Sequence, residues 1–365
     1  MKLKLVLFAL ALALIVGVAL LGPCLAPAGE IVSGYKVLEP IRHGNLTVFP
    51  VIAARSHDTA EFITLDEGLR SGEVVVTESG NISPLMRPRH RHGQIIPQQY
   101  GGGAQVNQLV LVNNSKRPLI LLAGEIVTGG KQDRVIGKDR LVPAESDPVD
   151  LSVFCVEPGR WTGASAKFDS YHGAMAQPSV REKAMAEKDQ AQVWAEVGKS
   201  KESLARNAPP AVAGPIGGLS SYARVMDNKE VKEQVDSVAE PIRHNYQSLI
   251  KQLRDQNAVG VVVAVSGQIV WADIFASTNL LEKYWPKLVR SYAAEAIVTK
   301  AKGYEADTRK AQEFLNQLQG RHETVDSEPG LYRHTEIAGD GFRAFELTSL
   351  LPKTGFDVHI AKMAE

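Results

Sequence analysis

Residues 119–161 read LILLAGEIVTGGKQDRVIGKDRLVPAESDPVDLSVFCVEPGRW, and how this stretch is read decides the fold. Four short apolar runs alternate there with a compact polar set, Glu125, Lys131, Gln132, Arg134, Glu157 and Arg160, and a lone cysteine, Cys155. Apolar runs of strand length with ionisable groups between them predict a β-sheet that carries a polar cluster on one face or rim. The pattern locates a candidate site without naming a reaction.

Outward from that stretch, residues 31–161 are strand-rich. Short β-branched or aliphatic runs at 48–53, 61–65, 73–77, 108–112, 119–122 and 151–156 are broken by Gly, Asn and Pro. Two loop-like insertions interrupt them, at 79–103 and 144–150. After Trp161 the texture changes. Residues 182–204 have helical composition, 207–221 (NAPPAVAGPIGGLSS) read as a linker or loop, and 228–254 as a helix that Pro241 should break or kink. Two apolar strands within 258–275 flank a Ser266-Gly267 hairpin turn. Trp285-Pro286 opens another helix, with proline at its favoured first position, and a shorter helix covers 307–318. Strands at 331–337, 341–350 and 356–363 end the chain. Strands joined by hairpins and grouped apart from helices indicate an α+β fold: an N-terminal antiparallel β-sandwich or barrel-like half over 29–161, and a C-terminal α/β half over 162–365 that can share its core.

The first residues carry an address. Lys2 and Lys4 precede an unbroken apolar run over 5–21, then Gly22-Pro23 and Ala26-Pro27-Ala28. A positive start, an apolar stretch and an A-x-A exit read as a signal peptide over 1–28, cut after Ala28. Retention as a membrane anchor and lipoprotein processing at Cys24 are the alternatives. All three place the body of the protein outside the cytoplasm, periplasmic or secreted, with membrane contact only through residues 1–28.

The 41 basic and 41 acidic side chains balance, so no global charge points to nucleic acid as a partner. Cleavage would leave Cys155 as the sole cysteine, so the fold must be held by its core and not by a disulfide. Flanked by Val153, Phe154 and Val156, that thiol reads as a packed small hydrophobe.

Glu125, at the end of an apolar strand, needs a partner if buried. Arg134 is the obvious one, since a guanidinium grips a carboxylate through two hydrogen bonds. The plainer reading is a structural tie; the functional one makes Glu125 a general base or ligand acceptor, with Gln132 and Arg134 orienting an anionic or polyhydroxyl ligand. Glu157, Arg160 and Trp161 lie in a turn that displays an acid, a base and an aromatic together. It suits stacking on a nucleotide base or sugar ring, or simply an aromatic cap on the sheet. Arg87-Pro88-Arg89-His90-Arg91-His92 has an H-x-H spacing, but its three arginines would repel a divalent cation. It reads as a solvated basic loop, and no metal site is assigned. The other histidines, His359 among them, show no ligand spacing. There is no P-loop, G-x-S-x-G, H-E-x-x-H or strand-borne G-x-G-x-x-G, and no motif names a cofactor. Asp273, inside VWADIF, is an acid in an apolar strand that needs explaining.

Together GNLTVFPVIA (44–53), TLDEGLRSGEVVVTE (64–78), LAGEIVTGGKQDRVI (122–136), CVEPGRW (155–161) and GVVVAVSGQIVWADIF with YWPKLVRSYAAEAI (260–297) resemble one family. It is the domain family named for its association with ADP-ribosylglycohydrolases and rhodanese-like phosphatases. The resemblance implies that Glu78, Glu125, Gln132, Arg134, Glu157, Arg160 and Trp161 occupy the family's polar positions. Three functional expectations follow. One is binding of a nucleotide-, ADP-ribose- or sugar-like small molecule, with Glu78, Gln132, Arg134, Arg160 and Trp161 as ligand-binding residues. The second is an extracytoplasmic hydrolase with Glu125 or Glu157 as catalytic acid/base. The third is a structural envelope protein without a ligand.

Overall fold

The valine-rich run from Ala258 to Val265 and its partner Gln268–Phe275 form the centre of the larger sheet. Ser266 and Gly267 join them, with φ of +52° and +80°, the left-handed pair that a tight hairpin with native twist requires. In this computed structural model, which describes residues 34–79, 90–91, 94–95, 103–252, 256–300, 305–317 and 320–365, the strand order is Tyr35–Val37, Leu46–Ala53, Ala258–Val265, Gln268–Phe275, Asp357–Ala364, Phe342–Ser349, Tyr332–Gly339 and Gly320–Glu328, with Ile41–His43 also on Leu46–Ala53. Every pairing in it is antiparallel. An early strand therefore lies beside the late hairpin, and Tyr35–Glu365 forms one compact unit. The long helices Lys229–Gln252 and Thr278–Val298 cover the sheet. The rings of Tyr246 and Trp285 meet between them, 4.3 Å apart and tilted by 33°, and the Tyr246 hydroxyl donates to the Gly260 carbonyl at 2.9 Å.

The second sheet is built from the stretch that opened the sequence analysis. Its order is Phe168–Ser170, Ile126–Gly129, Arg134–Ile136, Val149–Cys155, Gln108–Asn113 and Val74–Thr77. The sheet curls until its outer strands meet: the Thr77 hydroxyl donates to the Ala166 carbonyl at 2.7 Å, next to the opposite edge. Alternate residues (Val74, Val76, Leu109, Leu111, Leu151, Val153) fill the resulting barrel, as a period of two demands. Ile126 and Val135, facing the other way, join the main core. The small sheet of Arg140–Val142, Leu119–Leu121 and Ile63–Thr64 contains a parallel pair, Ile63–Thr64 on Leu119–Leu121. The fold class is α+β, as the element pattern predicts.

Several elements differ from the sequence expectation, each for a local reason. The predicted strand at 61–65 shortens to Ile63–Thr64, because Thr64 caps the helix Leu65–Ser71 and exchanges a reciprocal pair of hydrogen bonds with Glu67. The predicted linker at 207–221 contains the helix Pro210–Gly218, started by Pro210 at a first-turn position that needs no N–H. The helix predicted to open at Trp285-Pro286 begins at Thr278, where the Ser277 side chain accepts from the Leu280 N–H, so Pro286 lies inside it. Pro241 likewise sits within Lys229–Gln252 without ending it. Burial of Val231, Val235, Ile242, Tyr246 and Ile250 along one face outweighs the missing backbone bond. The helix predicted over 182–204 is two helices, Pro178–Glu182 and Gln190–Asn207, parted by a π-helical turn at Lys183–Glu187 and by left-handed Lys188. The strand Gly320–Glu328 was not foreseen. The basic loop at 87–92 lies outside the described residues except for the backbone of His90 and Arg91, which pairs with Gln94–Ile95. Residues 1–28, the signal or anchor, also lie outside the described residues.

Candidate functional site

Strand register gathers most of the predicted polar residues at one rim of the barrel. Ile126–Gly129 and Arg134–Ile136 form a hairpin whose turn, Gly129 to Asp133, opens with two glycines at φ +125° and +48°. Arg134 pairs with Cys155, and the Val156 N–H donates to the Asp133 carbonyl at 3.1 Å. The residue after Val156 is therefore delivered to the turn. That residue, Glu157, is fully buried and accepts from the Asp133 N–H at 3.0 Å and from Arg160 at 2.5 Å. Arg160 also holds the turn through the Gly130 carbonyl at 3.2 Å. Asp133 accepts from the Gly129 N–H at 3.0 Å and from the Ser221 hydroxyl. Closure of the barrel brings Glu78, just past Val74–Thr77, to the same turn, where it accepts from the Lys131 N–H at 2.9 Å. Gln132 donates its side-chain amide to the Glu157 carbonyl at 3.1 Å.

Burial pushes the Glu157 carboxyl up, but Arg160 and the Asp133 N–H outweigh it and hold the group below the usual carboxylate range. Glu157 is thus an ionised acceptor already engaged by the protein. Trp161 projects outward, 42% exposed, with the Lys131 ammonium 5.0 Å and the Arg134 guanidinium 6.0 Å from its ring centre. Glu78, Gln132, Arg134, Glu157, Arg160 and Trp161 thus share one rim. Four of their buried atoms have no hydrogen-bond partner among the described residues: Glu78 Oε2, Gln132 Oε1, Arg134 Nε and Arg160 Nε. Cys155 is buried beneath, its backbone N–H and carbonyl both bonded to the Gln190 side chain, and burial raises its thiol pKa.

Glu125 stands elsewhere, and its expected bond to Arg134 does not form. The hairpin separates Glu125 from the turn by three or four residues, roughly 10–13 Å of backbone at ~3.4 Å per residue. Arg134 donates instead to the carbonyls of Asp133 and Gln105. Glu125 is fully buried, accepts from the Leu122 N–H at 2.8 Å, and faces Lys287 at 3.7 Å; Lys287 in turn binds Asp66 at 2.9 Å. Burial pushes its pKa up to about 7, against the pull of Lys287. A carboxyl raised in this way supports folding most fully below its ordinary 4.5, and that support is lost as pH rises through about 7. Glu125→Gln should therefore flatten the pH dependence of unfolding free energy across that window. Equal slopes in parent and variant would refute the assignment.

A second buried cluster was missed by motif reading. His359 lies between two carboxylates, with Nδ1 on Asp139 and Nε2 on Asp273 at 3.1 Å. Asp273 also accepts both terminal nitrogens of Arg181 at 2.9 Å and the Tyr292 hydroxyl. Asp139, Arg181, Asp273 and His359 are fully buried. An imidazole facing an acceptor on each side must carry both N–H protons. Burial opposes that charge, yet the two aspartates outweigh it and raise the His359 pKa to about 9. Two cations and two anions make the cluster neutral, which is what makes its burial affordable. The sequence signal was Asp273 and His359, each an ionisable group inside an apolar strand. Among the described residues no group of three or more His, Cys, Asp or Glu is arranged to hold a metal, and no helix is long and apolar enough to cross a membrane.

No curated protein and no solved structure matches this chain. A family model does match, across residues 34–362, and those residues include both the barrel rim with its Glu-Gln-Arg and Glu-Arg-Trp blocks and the buried Asp–His–Asp–Arg cluster. The chain belongs to the family of the ARG and Rhodanese-Phosphatase-superfamily-associated Protein domain.

Proposed function

We propose that this is an exported protein that binds a nucleotide-, ADP-ribose- or sugar-like ligand at the Trp161 rim. The observation that carries the reading is the half-exposed indole flanked by the Lys131 and Arg134 cations. An aromatic face takes a base or sugar ring, and adjoining cations take an anionic substituent. The family's association with ADP-ribosylglycohydrolases and rhodanese phosphatases agrees with such a ligand. Binding is favoured over hydrolysis because Glu157 is ionised and engaged by Arg160, and Glu125 belongs to a different hydrogen-bond network. The hydrolase reading rests on Glu125 alone, whose pKa of about 7 suits acid/base work.

The test is a thermal-shift panel of ADP-ribose, nucleotides, sugar phosphates and glycans on parent and Trp161→Ala proteins. A ligand at a hundred times its Kd stabilises the fold by about 2.7 kcal/mol. A shift lost in Trp161→Ala supports the reading, and turnover of the same compound would make the protein a hydrolase. No shift from any compound would favour a structural role. For export, the mass of the protein recovered from its native host is the measure: loss of residues 1–28 supports signal cleavage, and full length in the cytoplasm refutes export.

A further inference from the structure

Resting on the binding reading, we infer that the group recognised at the Trp161 rim is a vicinal diol of a sugar ring, accepted by Glu78 and Gln132, and not a phosphate. The argument is one of remaining hydrogen-bond capacity. Glu157 is used by Asp133, Arg160 and Ser220, and Asp133 by Gly129 and Ser221. Glu78 spends Oε1 on the Lys131 N–H, and Gln132 spends its amide nitrogen on the Glu157 carbonyl. What remains among these rim residues is two acceptors, Glu78 Oε2 and Gln132 Oε1, and two donors, Arg134 Nε and Arg160 Nε. Glu78, Gln132 and Arg134 are only 3%, 5% and 0% exposed, so each of their open atoms is costly until a partner arrives.

Two buried acceptors call for a ligand that brings donors. A phosphomonoester dianion brings none, inorganic phosphate as its dianion only one, and either would meet the Glu78 carboxylate with like charge. An ammonium ligand brings donors but would have to share the Trp161 face with Lys131 and Arg134, both already within about 6 Å of the ring. Adjacent sugar hydroxyls satisfy both conditions: each donates one hydrogen bond and accepts another, and the ring's C–H face is neutral against the indole. Arg134 Nε and Arg160 Nε then serve the hydroxyl or ring oxygens. Any anionic substituent on the sugar falls to the Lys131 ammonium.

The experiment uses the full chain and a matched set of probes: ribose 5-phosphate, 2-deoxyribose 5-phosphate and inorganic phosphate, titrated calorimetrically against parent, Glu78→Gln and Trp161→Ala proteins. A site that hydrogen-bonds a hydroxyl rejects the analogue lacking it, so ribose 5-phosphate should bind at least tenfold more tightly than the deoxy compound. Glu78→Gln keeps an acceptor for the Lys131 N–H but replaces Oε2 with a donor, and should erase that difference. Equal affinity for the two sugar phosphates, or binding of inorganic phosphate alone, overturns the diol inference. If that binding still disappears in Trp161→Ala, the binding reading stands without it. Binding of none of the three probes overturns the diol inference, and the binding reading is then decided by the wider thermal-shift panel. The comparison of ribose with deoxyribose on the parent protein decides the matter even if Glu78→Gln fails to fold.

Discussion

Asp273→Asn should destabilise the protein by about 3–5 kcal/mol, the cost of removing one partner from a fully buried ion network. The substitution leaves Arg181 without its counter-charge, takes one of two carboxylates from His359, and weakens the acceptor of the Tyr292 hydroxyl. None of these groups reaches water, so solvent offers no substitute. Urea unfolding measures the loss, and a cost below about 1 kcal/mol would show that the cluster is not a stabilising unit. The same cluster predicts a pH signature. Because the His359 pKa is raised above its ordinary 6.5, its contribution is complete below 6.5 and is lost as pH rises through about 9. Asp139 and Asp273 are held below the usual carboxylate range: burial opposes this, but His359 outweighs it at Asp139, and Arg181 with His359 at Asp273. Their contribution is present above pH 3.8 and is lost as acid protonates them. The parent should lose stability between pH 6.5 and 9, and His359→Gln, already weaker at neutral pH, should not show that decline.

Gly124→Ala should cost about 4 kcal/mol, from left-handed backbone strain and displacement of Arg181 together. Gly124 has φ +94°, and a methyl group there would lie 2.7 Å from the Cγ, Cδ and Nε atoms of Arg181. Arg181 cannot retreat without releasing its two bonds to Asp273, so a side chain added beside Glu125 would be felt in the buried network. Gly72→Ala is the control. Its φ is +71°, but nothing lies within 4 Å, so it should show the backbone strain alone, about 1 kcal/mol. Equal losses at the two positions, read by the same urea titration, would refute contact with Arg181 as the larger cause.

The rim was legible because its members are tied by local rules. A glycine turn between two short strands displays Lys131, Gln132 and Asp133, and the register of Cys155 against Arg134 delivers Glu157, Arg160 and Trp161 to the same end. Glu78 was reached only through resemblance to a family, since its arrival depends on the barrel closing between Thr77 and Ala166. The helix at Leu65–Ser71 was written in the sequence as a Thr64–Glu67 capping box, and the alternation of apolar residues obscured it. Pro241 was expected to break or kink its helix and Pro286 to open one, yet both lie inside continuous helices, because burial of the helix faces outweighed the local preference.

By itself the sequence determined the α+β pattern, the central hairpin at 258–275 and the rim apart from Glu78, because each depends on neighbours in the chain or in an adjacent strand. Only the tertiary structure decided the partners of the interior charges. Glu125 faces Lys287 and not Arg134, and Asp139 meets His359 across 220 residues of sequence. Asp139, Arg181, Asp273 and His359 come from separate elements, and their charges balance only when those elements pack. A charge can be recognised from its sequence context as needing a partner, but the low-dielectric interior that selects which partner exists only once the chain has folded.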